Sequence, residues 1–139
     1  MTEGNFNLQG ILSELSNPIL IGGKVLEYYG LRKGHDYDFV VSKKDFEKLK
    51  KKYGEFDFPK NTPGVKLYNP KTEFEIDLFV SMYGKNYNHL LKNSTKSPKY
   101  LMASLHDIME MKMKTYFDKV RNATKNKSLR DVKLILSKI

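Results

Sequence analysis

Apolar and polar residues alternate along this chain with two periods, and each change of period marks an element. Leu8, Ile11, Leu12 and Leu15 recur at helical spacing, and Asn17-Pro18 ends that helix, because the residue before a proline is driven from the α region. Pro18-Ile19-Leu20-Ile21 is a short apolar run that reads as a buried strand, and Lys24 to Tyr29 reads as a helix stopped by Gly30. Tyr37, Phe39 and Val41 then alternate with polar positions, which puts Asp36 and Asp38 together on the opposite face of a second strand. Ser42-x-x-Asp45 opens, as a capping box, a helix carrying Phe46, Leu49 and Tyr53, and Gly54 closes it. Val65-Lys66-Leu67-Tyr68 and the run from Phe74 to Val80 flank Asn69-Pro70-Lys71-Thr72, a hairpin signal. Its second strand carries Phe74, Ile76, Leu78 and Val80 on the apolar face, with Glu75 and Asp77 on the other. From Pro98 the pattern becomes helical. Leu101, Leu105, Ile108, Met109, Met113, Tyr116, Phe117 and Val120 form one stripe, and Leu129, Val132, Leu136 and Ile139 form the core side of a closing helix, with Arg130 solvated.

These elements predict one α/β (α+β) domain over residues 1–139, with a mixed sheet flanked by helices in a core over 18–82 and a C-terminal helical part over 98–139. A chain of 139 residues buries a core of its own without staples. It contains no cysteine, which excludes disulfides and thiolate sites. No apolar stretch reaches the length of a membrane span and the N-terminus lacks a signal-peptide pattern, so a cytoplasmic protein without a membrane partner is expected. His35, His89 and His106 are scattered and do not have the spacing of a zinc site.

The chemistry lies in the carboxylates. Two like charges side by side repel unless a cation or proton lies between them, and oxygen-only ligands suit magnesium or manganese. If the two strands are neighbours, Asp77 joins Asp36 and Asp38. Gly22-Gly23 precedes a helix, where unpaired backbone N–H groups favour an anion, and Lys24 follows at once. Lys112 sits inside the apolar stripe, four residues from both Ile108 and Tyr116, whereas Lys114 lies on the far side. A lysine there needs a negative partner or must reach to the rim. The formal net charge is +9, much of it from Lys43, Lys44, Lys48, Lys50, Lys51 and Lys52 on one helix and from the region after Lys92. Such an excess fits a polyanionic partner or a solvated lysine-rich surface.

The order Gly22-Gly23, a short helix ending in Tyr29-Gly30-Leu31-Arg32, then Asp36-x-Asp38 and a lone Asp77 on a later strand resembles the minimal nucleotidyltransferases of the DNA polymerase beta-like superfamily. It is most similar to the small forms of abortive-infection and toxin–antitoxin systems. The resemblance runs from about Pro18 to the C-terminus. It implies that Asp36, Asp38 and Asp77 are catalytic and hold two Mg2+ or Mn2+ ions, and that the turn of Gly22 and Gly23 binds the triphosphate of ATP or another nucleoside triphosphate. Lys24 stands where the family has Ser or Thr, and it either supplies charge to the triphosphate in place of the missing hydroxyl or points to water. The phrase Leu105-His106-Asp107-Ile108-Met109-Glu110-Met111-Lys112 is similar to one whose lysine reaches the nucleotide phosphates. The implied activity is transfer of a nucleoside monophosphate to a hydroxyl of RNA (tRNA included), a protein or a small molecule, with release of pyrophosphate. A catalytically silent nucleotidyltransferase-like scaffold, or a nucleic-acid-binding partner subunit of another protein, is the alternative.

Overall fold

The computed structural model describes residues 1–117 and 125–139. In chain order the strands are β1 (Thr2–Glu3), β2 (Ile19–Ile21), β3 (Tyr37–Val40), β4 (Phe56–Phe58), β5 (Thr62–Asn69), β6 (Phe74–Phe79), β7 (Ser81–Met82), β8 (Lys85–Asn86), β9 (Thr95–Lys96) and β10 (Leu101–Met102). The α-helices are α1 (Leu8–Leu12), α2 (Gly23–Tyr28), α3 (Lys43–Tyr53), α4 (Tyr87–Lys92), α5 (Leu105–Phe117) and α6 (Lys125–Lys138).

The expected hairpin is the centre of the sheet. β5 and β6 run antiparallel with Leu67 opposite Ile76 and Lys66 opposite Asp77. Asn69 fixes the turn, accepting from the Lys71 N–H at 3.0 Å and donating to the Phe6 carbonyl at 2.9 Å. β3 lies parallel to β6 on one side and antiparallel to β2 on the other. The full order is β1-β5-β6-β3-β2-β10-β9, with β4 also on β5, a mixed sheet of eight strands among the described residues. The fold is thus α/β with a mixed sheet and C-terminal helices, as the hydropathy pattern predicts. No helix among the described residues is long and apolar enough to cross a membrane.

Apolar alternation is what fills the core. Leu20, Phe39, Leu67, Ile76 and Leu78 from the strands are fully buried, as are Val25, Leu26, Leu90, Ile108 and Ile135 from helices. Each such side chain contributes about 1.5–3 kcal/mol by leaving water. Ser42 caps α3 as expected, accepting from the Asp45 N–H at 3.2 Å.

The C-terminal third departs from expectation in two places. Residues 98–104 are not helical: Leu101 and Met102 form β10, pairing with Ile19 and Leu20 at the free edge of β2. Helix α5 starts only after Ser104, whose hydroxyl caps it by accepting from the Asp107 N–H at 3.0 Å. On α5 the buried face holds Leu105, Ile108, Met111 and Thr115, whereas Met113 and Phe117 are exposed and Val120 lies outside the described residues. On α6 the inward side chains are Ser128, Asp131 and Ile135, and Leu136 and Ile139 face water. An ion pair causes this rotation. Asp131 is 1% exposed and receives Arg32 through Nε and Nη2 at 2.7 and 2.8 Å and Lys112 at 3.1 Å. A carboxylate buried with two cations outweighs the burial of two terminal apolar side chains, since leaving it or them unpaired in the interior costs several kcal/mol.

The rotation of α6 has a measurable consequence. Ile135→Ala, at a position 0% exposed, should destabilise the protein by about 2–5 kcal/mol. Leu136→Ala, at a position 55% exposed, should change stability by less than about 0.5 kcal/mol in urea denaturation. The reverse order of the two variants would restore the apolar stripe as the inward face.

Candidate functional site

The site is built by strand register. Ile21 stands opposite Asp38, Asp38 opposite Asp77, and Asp77 opposite Lys66, a row running across β2, β3, β6 and β5. Directly opposed residues of neighbouring strands project from the same face, so the backbone alone brings the two aspartates side by side with a lysine at the end of the row. Glu75 precedes Asp77 by two and shares its face. Asp36 lies just before β3 and is exposed.

Electrostatics marks the pair as strained. Asp38 is pushed up to about 8, first by loss of water, then by the charges of Asp77 and Asp36 and by a hydrogen bond to Asp77. Asp77, 8% exposed, is pushed up to about 6 by the same loss of water, with Lys66 opposing and Glu75 and Asp36 adding to the rise. Asp36 is raised as well, by desolvation and then by Glu75. Without a cation the Asp38 carboxyl therefore keeps its proton at neutral pH, the expected response of two opposed carboxyls in one place.

Lys66 is the cation that Asp77 does hold. Its Nζ lies 3.1 Å from Glu75 Oε2 and 3.3 and 3.5 Å from the two Asp77 oxygens. The Phe56 and Phe58 rings lie on either count 5.5 Å away, centroid to Nζ.

The glycines serve the carboxylate first. Gly22 has φ +75°, and a Cβ on it would fall 2.7 Å from Asp38 Oδ2, so only glycine lets the Asp38 carboxyl lie against the β2–α2 turn. A Cβ on Gly23 would fall 2.9 Å from the Arg32 guanidinium. Lys24 turns to its own helix, 3.2 Å from Glu27 Oε2 and 4.8 Å from the centroid of the Tyr37 ring.

Against the carboxylate face lies a cleft of about 260 Å³. Gly22, Asp38 and Asp77 contribute from the sheet, Lys112 and Thr115 from α5, and Lys127 and Ser128 from α6, while Phe58, Phe79, Met82 and Tyr83 give it an apolar wall. Lys112 is lowered by desolvation, against which the Asp131 charge and hydrogen bond act. Burial alone would raise Asp131, but its bonds to Arg32 and the Lys112 charge hold it below the usual carboxylate range. The wall is anchored by Lys85, buried and 3.1 Å from Asp107 and 2.9 Å from Glu110, which ties the β7–β8 hairpin to α5.

Of the residues singled out in the sequence, Gly22, Asp38, Asp77 and Lys112 line one cleft; Asp36, Gly23 and Lys24 are not part of its lining. Glu75 was placed beside Asp77 on the polar strand face without a role, and Lys66, Lys127 and the Arg32–Asp131 pair were not singled out. Among the described residues no group of three or more acidic, histidine or cysteine side chains is arranged to hold a metal ion. The donor chemistry of the pair nonetheless suits a hard divalent ion: two carboxylates, desolvated, mutually repelling, and already attracting a cation in Lys66. In comparisons with known proteins, no family model, curated protein or solved structure matches this chain.

The raised carboxyls fix the direction of a pH effect. Folded values of about 8 and about 6 exceed the ordinary 3.8, so the contribution of the protonated pair is complete below about pH 4 and is lost as pH rises through 6 and 8. Asp38→Asn removes the Asp38 share of that loss. In EDTA, its stability relative to the parent should improve between pH 5 and pH 8.5 by at least about 1.4 kcal/mol, the equivalent of one pK unit. Parallel denaturation curves for the two proteins over that range would contradict the raised Asp38.

Proposed function

We propose that this chain is a metal-dependent nucleotidyltransferase of the minimal DNA polymerase beta-like kind, moving a nucleoside monophosphate from a nucleoside triphosphate to a hydroxyl acceptor and releasing pyrophosphate. The observation that carries this reading is the placement of Asp38 directly opposite Asp77 at a glycine turn, in a cleft that also holds the Lys112 cation. A module that only bound polyanions would gain nothing by lining its cleft with two desolvated carboxyls, which repel phosphate.

Asp38 and Asp77 would be the principal ligands of Mg2+ or Mn2+, with Asp36 completing the set from the mouth of β3. When bound, such ions supply a lowered pKa to the acceptor hydroxyl and neutralise charge on the triphosphate. The remaining work belongs to the chain. Gly22, with no Cβ, lets the Asp38 carboxyl lie against the β2–α2 turn and so holds it at the cleft. Lys112, whose charge already acts on Asp38, offers a donor toward phosphate oxygens while Asp131 holds its position. Phe58, Phe79, Met82 and Tyr83 exclude water from one side of the cleft. Lys24 and Gly23 are assigned a weaker part, since Lys24 is paired with Glu27 and Gly23 is filled by Arg32.

The surface supports one acceptor class over the others. Lys43, Lys44, Lys48 and Lys51 are exposed on α3, whereas Lys52 is engaged with Glu14 at 2.6 Å, and this basic helix favours RNA over a small molecule. A second reading, a catalytically silent scaffold acting with a partner protein, is favoured by one observation: the Asp77 carboxylate is already neutralised by Lys66.

The two readings separate in one assay. Incubation with each α-labelled nucleoside triphosphate, Mn2+ or Mg2+, and total cell RNA and protein should place label on a macromolecule. Asp38→Asn and Asp77→Asn should each reduce incorporation by at least about 100-fold, the scale of losing an electrostatic catalytic group. Absence of label with every nucleotide, or label undiminished in both variants, would leave the silent scaffold as the better account.

A further inference from the structure

Lys66 ends the carboxylate row and is its one cation, with no part in the proposed chemistry, yet it is the most heavily partnered. Its ammonium lies between Glu75 Oε2 at 3.1 Å and the Asp77 oxygens at 3.3 and 3.5 Å, with the Phe56 and Phe58 rings 5.5 Å away. An ion bound to Asp77 would draw on the same two oxygens and be repelled by the ammonium beside them, so ammonium and metal compete for one carboxylate.

We infer that Lys66 is a resident counter-ion of the site: it holds Asp77 while no metal is bound and moves onto Glu75 when a divalent ion takes Asp77. This rests on reading Asp38 and Asp77 as ion ligands. Three features make the exchange feasible. The contact with Glu75 is already the shorter one, so release of Asp77 does not strand a buried charge. The two aromatic rings, each 5.5 Å from the ammonium, add a favourable interaction that does not depend on Asp77. A lysine ammonium is a point charge on a flexible stem and can slide between acceptors, which a two-pronged guanidinium does not do. Strand register meanwhile keeps Lys66, Asp77 and Asp38 neighbours throughout. Lys66 thereby relieves carboxylate repulsion in the empty site and sets the concentration of metal needed to fill it.

The test is Mn2+ binding to the full chain, followed by the loss of the free-ion electron paramagnetic resonance signal, in the parent, Lys66→Met, Lys66→Arg and Asp77→Asn. Lys66→Met should bind Mn2+ about tenfold more tightly, the effect of removing one competing charge-assisted hydrogen bond. Lys66→Arg keeps the charge but grips both Asp77 oxygens, and should bind more weakly than the parent. Equal affinity of Lys66→Arg and the parent would reduce Lys66 to a charge acting at a distance and overturn the inference. Unchanged affinity in Lys66→Met would do the same. Binding by Lys66→Met alone would make the lysine a permanent occupant, overturning the exchange while keeping the carboxylate site. Failure of both parent and Lys66→Met to bind, or binding that survives in Asp77→Asn, would remove the site itself and the counter-ion role with it.

Discussion

The interaction on which the rest depends is the enforced neighbourhood of Asp38 and Asp77. Parallel pairing of β3 with β6 puts them opposite one another, and antiparallel pairing of β6 with β5 adds Lys66 to the same row. Neither aspartate can leave without breaking the sheet, because Phe39, Ile76 and Leu78 on the other face are fully buried. The hydrophobic core thus holds an unfavourable electrostatic arrangement in place. The pair responds in the ways open to it: Asp38 retains a proton, and Asp77 draws on a lysine.

A second charge cluster decides how the C-terminal helices sit. Asp131 binds Arg32, from the loop after α2, and Lys112, from the middle of α5, and so fastens α6 to the side of the cleft. Lys112 joins the two clusters, since it lines the cleft with Asp38 and Asp77, pairs with Asp131, and carries a charge that reaches Asp38. Mutations on α6 far from the sheet should accordingly be felt at the carboxylates through the position of Lys112.

Much of this was legible in the residues. The strand alternation places Asp36, Asp38 and Asp77 on polar faces, and the α3 cap and the hairpin follow from local chemistry. Lys66 was legible too. Pairing Asn69 with Phe74 around the turn brings Lys66 opposite Asp77 by counting alone. Asp131 was hidden for a different reason: Leu129, Val132 and Leu136 form a regular stripe, and only a long-range ion pair with Arg32, 99 residues away in sequence, shows why the helix is rotated off it. β10 escaped notice because a two-residue strand carries no period, and its pairing with the β2 edge is a tertiary fact. Asp36 shares a face with Asp38 by alternation, but it precedes the first residue of β3 and so lies at the mouth of the site.

The central claim is that Asp38 and Asp77 form one strained pair that accepts either a proton or a divalent ion. Its most direct test is a carbon-13 NMR titration of the aspartate side-chain carboxyls with and without Mg2+. The account predicts that, without Mg2+, Asp38 titrates at about 8 and Asp77 at about 6, and that saturating Mg2+ abolishes both steps by keeping the pair ionised down to acidic pH. Titration of both groups near the ordinary 3.8 in the metal-free protein, or steps unmoved by Mg2+, would contradict it.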